Sequence, residues 1–189
     1  MQKSQTFDYI IVGAGSAGCV LARMLSERRD VTVLLLEAGG HNHHPFISMP
    51  RGFTKILGKP KYFWKYSTKG SDTHTAEGWM YGKGLGGSSA INGMAYMRGM
   101  PSDFDFWQQT GSAEWGWESI QKTYRSIESY TESGAHDSRG VDGPLQVTRY
   151  RHLSPLSPAM IEAGREMGLP VLQDINQPNT DGIGFSQFT

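Results

Sequence analysis

Cysteine is all but missing from this 189-residue chain. Cys19 stands alone, which excludes an intramolecular disulfide and any thiolate-clustered zinc or iron–sulfur site, and makes a reducing compartment the default. Net charge is missing too: 18 Lys and Arg balance 18 Asp and Glu, so the basic footprint of a nucleic-acid binder is absent and no nucleic acid is expected as a partner. Long hydrophobic runs are also lacking. The weakly polar stretch from Ile10 to Ala22 is too short for a bilayer and is interrupted by three glycines, so no membrane span is expected. The N-terminus carries one basic residue, Lys3, and no apolar stretch before Asp8, so no secretory signal is visible. The expected location is cytoplasmic, although a mature form whose signal had been removed would read the same way.

Glycine, by contrast, is plentiful at 24 residues and is concentrated in two loops about seventy residues apart. The first is Gly13-Ala14-Gly15-Ser16-Ala17-Gly18; the second is Gly82-Lys83-Gly84-Leu85-Gly86-Gly87-Ser88-Ser89-Ala90-Ile91-Asn92-Gly93. A side chain keeps the backbone away from a pyrophosphate or a flat isoalloxazine ring, so a chain that touches both needs glycine in two places. One such loop points to a dinucleotide; two point to a flavin dinucleotide.

The surroundings of the first loop agree. Phe7 to Val12 is a β-rich run, and Val31 to Leu36 is a continuous apolar run of the kind covered on both sheet faces. Between them Ala17, Val20, Leu21, Met24 and Leu25 recur with helical spacing, which predicts a helix with that stripe on the sheet and Arg23, Glu27 and Arg28 in water. Strands joined through such a helix form a right-handed parallel crossover. From Gly39 to Tyr81 the periodicity fades, and a loop-rich surface excursion is expected. Helices are predicted over Pro101–Gln109 and Trp117–Tyr130, the latter burying Trp117, Ile120, Tyr124 and Ile127. Gly143 to Arg149 reads as a strand, Ser157-Pro158 as the start of a helix through Met167 that Gly168 stops, and Phe185 to Thr189 as a further strand.

Two clear parallel strands are too few. A pair leaves apolar faces and unpaired edges, so residues 1–189 are expected to be the opening part of a longer polypeptide, truncated or cleaved, with a second chain carrying the remainder.

The chemistry of the first loop follows from its spacing. Gly13 permits the tight turn, Gly15 lets the backbone approach the pyrophosphate, and Gly18 lets the helix pack on the strand. Glu37 stands just after the second strand, nineteen residues beyond Gly18, where a carboxylate takes the adenosine-ribose hydroxyls and repels a 2′-phosphate. The second loop has no following strand–helix–strand pattern. It reads as bare backbone rich in N–H donors and small hydroxyls, suited to lie along a flavin, or else as a glycine-rich hairpin.

The stretch Gly82 to Asp105, read as Gly-Lys-x-Leu-Gly-Gly-Ser-Ser-x-Ile-Asn-x-x-x-Tyr-x-x-Gly-x-x-x-x-x-Asp, resembles the first signature of the glucose-methanol-choline (GMC) flavoprotein oxidoreductases. Ile91 to Gly99 is most similar to their choline-dehydrogenase-like branch. Asp8 to Gly18, Leu36-Glu-Ala-Gly39, Trp115-Gly-Trp117 and Gly143-Pro-Leu145 extend the likeness to the family's N-terminal portion over essentially the whole chain. The fold the resemblance implies is α/β: an incomplete, Rossmann-like FAD/NAD(P)-binding parallel-sheet domain over residues 1–140, then the start of an antiparallel-sheet substrate domain over 141–189.

The resemblance also implies a site. Ser16 and Ala17 would meet the pyrophosphate, Glu37 the ribose, and Gly84, Ser88 and the run Asn92, Gly93, Met94 and Ala95 the diphosphate and flavin edge. With Gly13, Gly15, Gly18, Ala38 and Gly87 these make up the expected cofactor-binding set. Some family members attach FAD through a histidine that aligns with Ile91; isoleucine cannot do so, and non-covalent FAD is expected. The implied reaction oxidises the CH–OH group of an alcohol, with hydride passing to flavin N5 and then to oxygen or another acceptor. The family's catalytic histidine is expected C-terminal to Thr189, and none of the six histidines here is assigned that role.

Rival readings stay open. The chain could be a silent FAD-binding fragment, or a family member turned to lyase or light-driven decarboxylase chemistry. His41, His43 and His44 with Asn42 read as a metal cluster or a solvated loop, and no metal is expected. Cys19 is a low-pKa thiol or a small packing residue, Tyr62, Phe63, Trp64 and Tyr66 a cofactor entrance or core, and Arg98 a phosphate partner or half of a salt bridge.

Overall fold

The computed structural model describes residues 5–132, 137–151, 153–178 and 181–189; Lys3 and two of the histidines, His136 and His152, lie outside them. Its first elements follow from the apolar runs. Tyr9–Val12 forms β1 and Val33–Leu36 forms β2, paired in parallel from Tyr9 opposite Val33 to Val12 opposite Leu36. Ser16–Ser26 is the connecting helix α1. It closes on β1 through small residues: a Cβ on Gly18 would lie 2.0 Å from the Gly13 carbonyl oxygen, so only glycine fits.

That contact corrects the expected helix face. Gly18, Cys19, Ala22 and Leu25 are the half-buried positions, whereas Val20, Leu21 and Met24 are exposed, Met24 at 62%. The glycine turns the narrow side of the helix to the sheet, and the bulky stripe faces away. Val12 is 83% exposed, so the two-stranded sheet also leaves apolar surface open.

The segment expected to be a surface excursion is instead ordered around a small core. The short helix α2, Pro45–Ser48, a 3₁₀ turn at Gly52–Lys55 and the antiparallel hairpin of β3, Phe63–Ser67, and β4, Gly78–Gly82, occupy it. Ile56, Tyr62 and Phe63 are buried there, with Phe46, Ile47 and Ile91 packed against them. These contacts are distant in sequence, and a window-by-window periodicity does not register them. The second glycine loop leaves β4 and enters a 3₁₀ turn at Gly87–Ala90, so it is neither a hairpin nor a second nucleotide fold. Gly86 and Gly87 have φ of 87° and 55°, a backbone path that β-carbons oppose.

Two compact units divide the chain, residues 1–93 and 94–189. The second begins with β5, Ala95–Tyr96, followed by α3, Pro101–Thr110, and α4, Trp117–Ile127. Trp117, Ile120 and Tyr124 of α4 are half-buried, but Ile127 is exposed and the helix stops three residues short of the predicted end. Glu128–Ser129 turns extended as β6 and pairs in parallel with β7, Leu145–Gln146. The expected strand at Gly143–Arg149 is thus two short ones, β7 and β8, Thr148–Arg149.

Helix α5 spans Leu156–Glu166, and Gly168, φ 84°, ends it as expected. It starts earlier than predicted. Ser154 accepts from the Leu156 N–H (3.3 Å), so Ser154-Pro155 rather than Ser157-Pro158 forms the entry. Strands β9, Val171–Leu172, and β10, Ile183–Gly184, pair in parallel; β11, Gln187–Phe188, runs antiparallel to both β5 and β8. No helix among the described residues is long and apolar enough to cross a membrane.

Candidate nucleotide-cofactor site

Ala14 joins the two glycine loops. It is fully buried; its N–H donates to Glu37 Oε2 at 2.8 Å and its carbonyl accepts from Gly86 N–H at 2.7 Å. Gly15 and Gly86 form a parallel bridge, and a Cβ on Gly87 would lie 2.9 Å from Gly15 Cα. At Gly39 a Cβ would lie 2.5 Å from Gly84 Cα. Gly15 and Gly39 therefore stand backbone against backbone with Gly84, Gly86 and Gly87, which brings part of the predicted set from both loops together within the first unit.

The same loops leave bare backbone facing open space. Gly15 caps α1 with ordinary angles (φ −78°, ψ −170°), and no protein atom lies within 4 Å of where its Cβ would be. No neighbour in the fold demands glycine there. Beyond it Ser16 and Ala17 are exposed at the start of α1, where the first N–H groups lack intrahelical partners and the helix dipole favours an anion. Such a cradle, one that a Cβ would fill, fits a pyrophosphate.

Beside it lies an open pocket of about 480 Å³ lined by Val12, Gly13, Leu36, Glu37, Ala38, Trp64 and Tyr66. Glu37 carries more than the ribose role expected of it. Its Oε1 accepts from Gly39 N–H at 2.7 Å and its Oε2 from Ala14 N–H at 2.8 Å. Partial burial pushes the Glu37 carboxyl up, but hydrogen bonds from Gly39, Ala14, Gly84 and Ala38 outweigh it and hold the acid below its usual range. The sign follows: this stabilisation is complete above the ordinary carboxyl pKa and fades as pH falls through the lowered one. Glu37→Gln is expected to destabilise the protein at neutral pH by about 1–3 kcal/mol through unsatisfied loop N–H groups. Urea unfolding at pH 7 and below the ordinary carboxyl range, at about pH 3, checks this, with the gap to wild type narrowing at the lower pH.

The remaining predicted residues are spread along the second loop. Ser88 is exposed, and its Oγ accepts from Gly82 N–H at 3.0 Å. Asn92 and Gly93 are exposed at the end of the first unit. Met94 and Ala95 belong to the second unit, where Met94 has a left-handed φ of 62° and its carbonyl accepts from Thr189 N–H at 3.0 Å.

The open alternatives resolve differently from one another. Tyr62 and Phe63 are core, while Trp64 and Tyr66 line the pocket, with Lys83 Nζ 4.2 Å over the Trp64 ring. Cys19 donates to the Ala14 carbonyl at 3.2 Å, a packing role. Arg98 pairs with Glu128 in the second unit and is structural. His44 accepts from Phe46 N–H through Nδ1 and caps α2, and among the described residues no group of three His, Cys, Asp or Glu is placed to hold a metal. Asn42 was missed: its amide donates to the Leu85 carbonyl and steadies the second loop. Nothing in its histidine-rich neighbourhood signals that.

A family model described as GMC oxidoreductase matches residues 7–189. The chain belongs to the GMC oxidoreductase family. Among curated relatives it is 43% identical to an oxygen-dependent choline dehydrogenase of Vibrio vulnificus, over 95% of this chain and 33% of that protein. An alcohol dehydrogenase [acceptor] of Pseudomonas putida is 40% identical over 97% of the chain and 34% of its own length. Among solved structures, pyridoxine 4-oxidase from Mesorbium loti matches with a TM-score of 0.86 at 37% identity, covering 97% of this chain and 36% of that one. A formate oxidase matches at 0.83 and 30%, covering 96% and 34%. The choline-dehydrogenase-like resemblance and the α/β fold of an incomplete GMC FAD-binding domain are borne out. This GMC chain spans about a third of the length of the relatives it matches.

Proposed function

We propose that this chain is the FAD-binding portion of a GMC oxidoreductase that oxidises the CH–OH group of an alcohol. The observation that carries the reading is the backbone-on-backbone packing of Gly15 and Gly86, with Gly15 bare toward open space. Gly13, Gly15, Ser16, Ala17 and Gly18 would hold the pyrophosphate, Glu37 and Ala38 the ribose, and Gly84, Gly87, Ser88, Asn92, Gly93, Met94 and Ala95 the diphosphate and flavin edge. FAD held by these residues would supply the redox chemistry of alcohol oxidation. The chain's own part is to bind and orient: N–H groups of the first loop meet the phosphates, and Glu37 meets the ribose while tying the loops together.

Attachment is non-covalent in this reading, because Ile91 packs into the core beside Ile56, Tyr62 and Phe63 and offers no nucleophile. We assign residues 1–140 to the FAD-binding domain and 141–189 to the opening of the substrate domain. The catalytic histidine and the other substrate contacts belong to sequence C-terminal to Thr189, on this polypeptide or a companion chain.

The test is spectroscopic. The purified complete protein should show flavin bands near about 375 and 450 nm, lose them to the supernatant on acid precipitation, and bleach anaerobically with choline or another alcohol. A protein that binds no flavin overturns the reading. Flavin bands that no alcohol bleaches would leave the silent module or the lyase and photochemical alternatives.

A further inference from the structure

The second unit is organised around buried polar side chains. Arg98, Glu128, Arg139, Asp174, Asn176 and Gln187 are each less than a tenth exposed and are hydrogen-bonded into one network. Replacing buried ionic groups by apolar ones is often neutral or stabilising, so such a network is best explained by the geometry it enforces. Where it meets the backbone is therefore informative.

It meets it at the segment after the second glycine loop. Asn176 Oδ1 accepts from Arg98 N–H at 2.7 Å, and its Nδ2 donates to the Tyr96 carbonyl at 3.3 Å and to Gln187 Oε1 at 2.8 Å. Asn176 is itself fixed, since its N–H donates to Asp174 Oδ1 at 2.9 Å. On the other side, β5 pairs with β11 and Thr189 N–H donates to the Met94 carbonyl. Met94 sits in the left-handed region, a conformation that a residue with a side chain keeps only where its surroundings over-determine it. Strand β5 is two residues long and has little intrinsic hold on that geometry.

We propose that Asn176 is a positioning residue for the flavin edge, carrying the rigidity of the buried network to Met94 and Ala95. This rests on the flavin reading given above. Asn176→Ala and Asn176→Asp in the complete protein both remove the amide donor to Tyr96 and Gln187; alanine also removes the acceptor for Arg98. FAD titration of the apoprotein, the visible flavin spectrum and hydrogen exchange at the Arg98 amide are the readouts.

The expected result is faster exchange at Arg98 with roughly tenfold weaker FAD binding and a shifted flavin band, since small displacements of positioning groups are costly. Wild-type FAD affinity and spectrum in both variants would overturn the proposal. A wild-type protein that takes up no FAD overturns the flavin reading itself, which separates the two failures. Should the Asn176 variants not fold, Met94→Gly relaxes the strained residue without touching the network. It is expected to weaken FAD while leaving the unfolding midpoint near that of wild type, and unchanged affinity there overturns the proposal equally.

Discussion

Gly15→Ala is expected to weaken FAD binding by roughly 10- to 100-fold, the equivalent of the roughly 1–3 kcal/mol of forcing a methyl into an occupied contact, while the apoprotein unfolds near the wild-type temperature. The fold has room for the new methyl: the angles at Gly15 suit alanine and no protein atom lies within 4 Å of its Cβ. Alanine is a poorer N-cap but also lowers the entropy of the unfolded chain, opposing effects of about 0.5–1 kcal/mol each. Only a ligand lying against the loop would object. Gly18→Ala should fail by the other route, because its Cβ would stand 2.0 Å from the Gly13 carbonyl oxygen. Pushing α1 off β1 costs at least the roughly 1–3 kcal/mol of overpacking, and the cofactor is lost along with the fold. Fluorescence titration with FAD and thermal melts of both apoproteins separate the cases. A Gly15→Ala protein that binds FAD normally would show that the pyrophosphate lies elsewhere.

Arg139→Met is expected to destabilise the second unit by about 3–5 kcal/mol. The guanidinium donates to Glu128 (2.8 and 3.1 Å), Asp174 (2.8 and 2.9 Å) and Gln187 (2.9 Å), and stacks 3.9 Å over the Tyr130 ring. Methionine fills the space, leaves Asp174 buried without its cation and leaves Glu128 with Arg98 alone. Burial pushes the Glu128 and Asp174 carboxyls up, yet both are held below the usual range. For Glu128 the Arg139 and Gly140 donors outweigh burial; for Asp174 the Asn176, Gln187 and Arg139 donors do. Wild type therefore keeps this stabilisation above the ordinary carboxyl range, near about pH 4, and loses it as pH falls through the lowered values. In the variant Asp174, now without a cation, gains by protonation, as does Glu128 to a smaller extent because Arg98 still pairs with it, so the difference from wild type should narrow with acid. Denaturant melts at pH 7 and about pH 4.5 measure it, and a gap that widens in acid contradicts the account.

What could be read from the sequence was whatever depends on neighbours along the chain. Strand, loop, helix and strand at Tyr9–Leu36, and Glu37 at their end, follow from local periodicity and glycine spacing. Which face of α1 meets the sheet did not follow, because the spacing of large apolar residues favours the bulky stripe and close packing favours Gly18. Helix α4 ended early for a related reason. Glu128 is drawn extended into ion pairs with Arg98 and Arg139, and Arg139 in turn reaches Asp174, a partner far along the chain that no local window contains. The contact of Asn42 with Leu85 and the cluster of Ile56, Tyr62 and Phe63 were hidden in the same way.

The bridge between Gly15 and Gly86 has a kinetic corollary during biosynthesis. A ribosome adding about 5–20 residues per second reaches the second glycine run roughly 4–14 s after the first. Until then the nascent chain exposes only half a cradle, with Gly86 not yet made to donate its N–H to the Ala14 carbonyl. On the flavin reading proposed above, FAD capture would wait for the second loop, and a pause between the two codon stretches would prolong the interval in which the open nascent segment is exposed to chaperones and proteases.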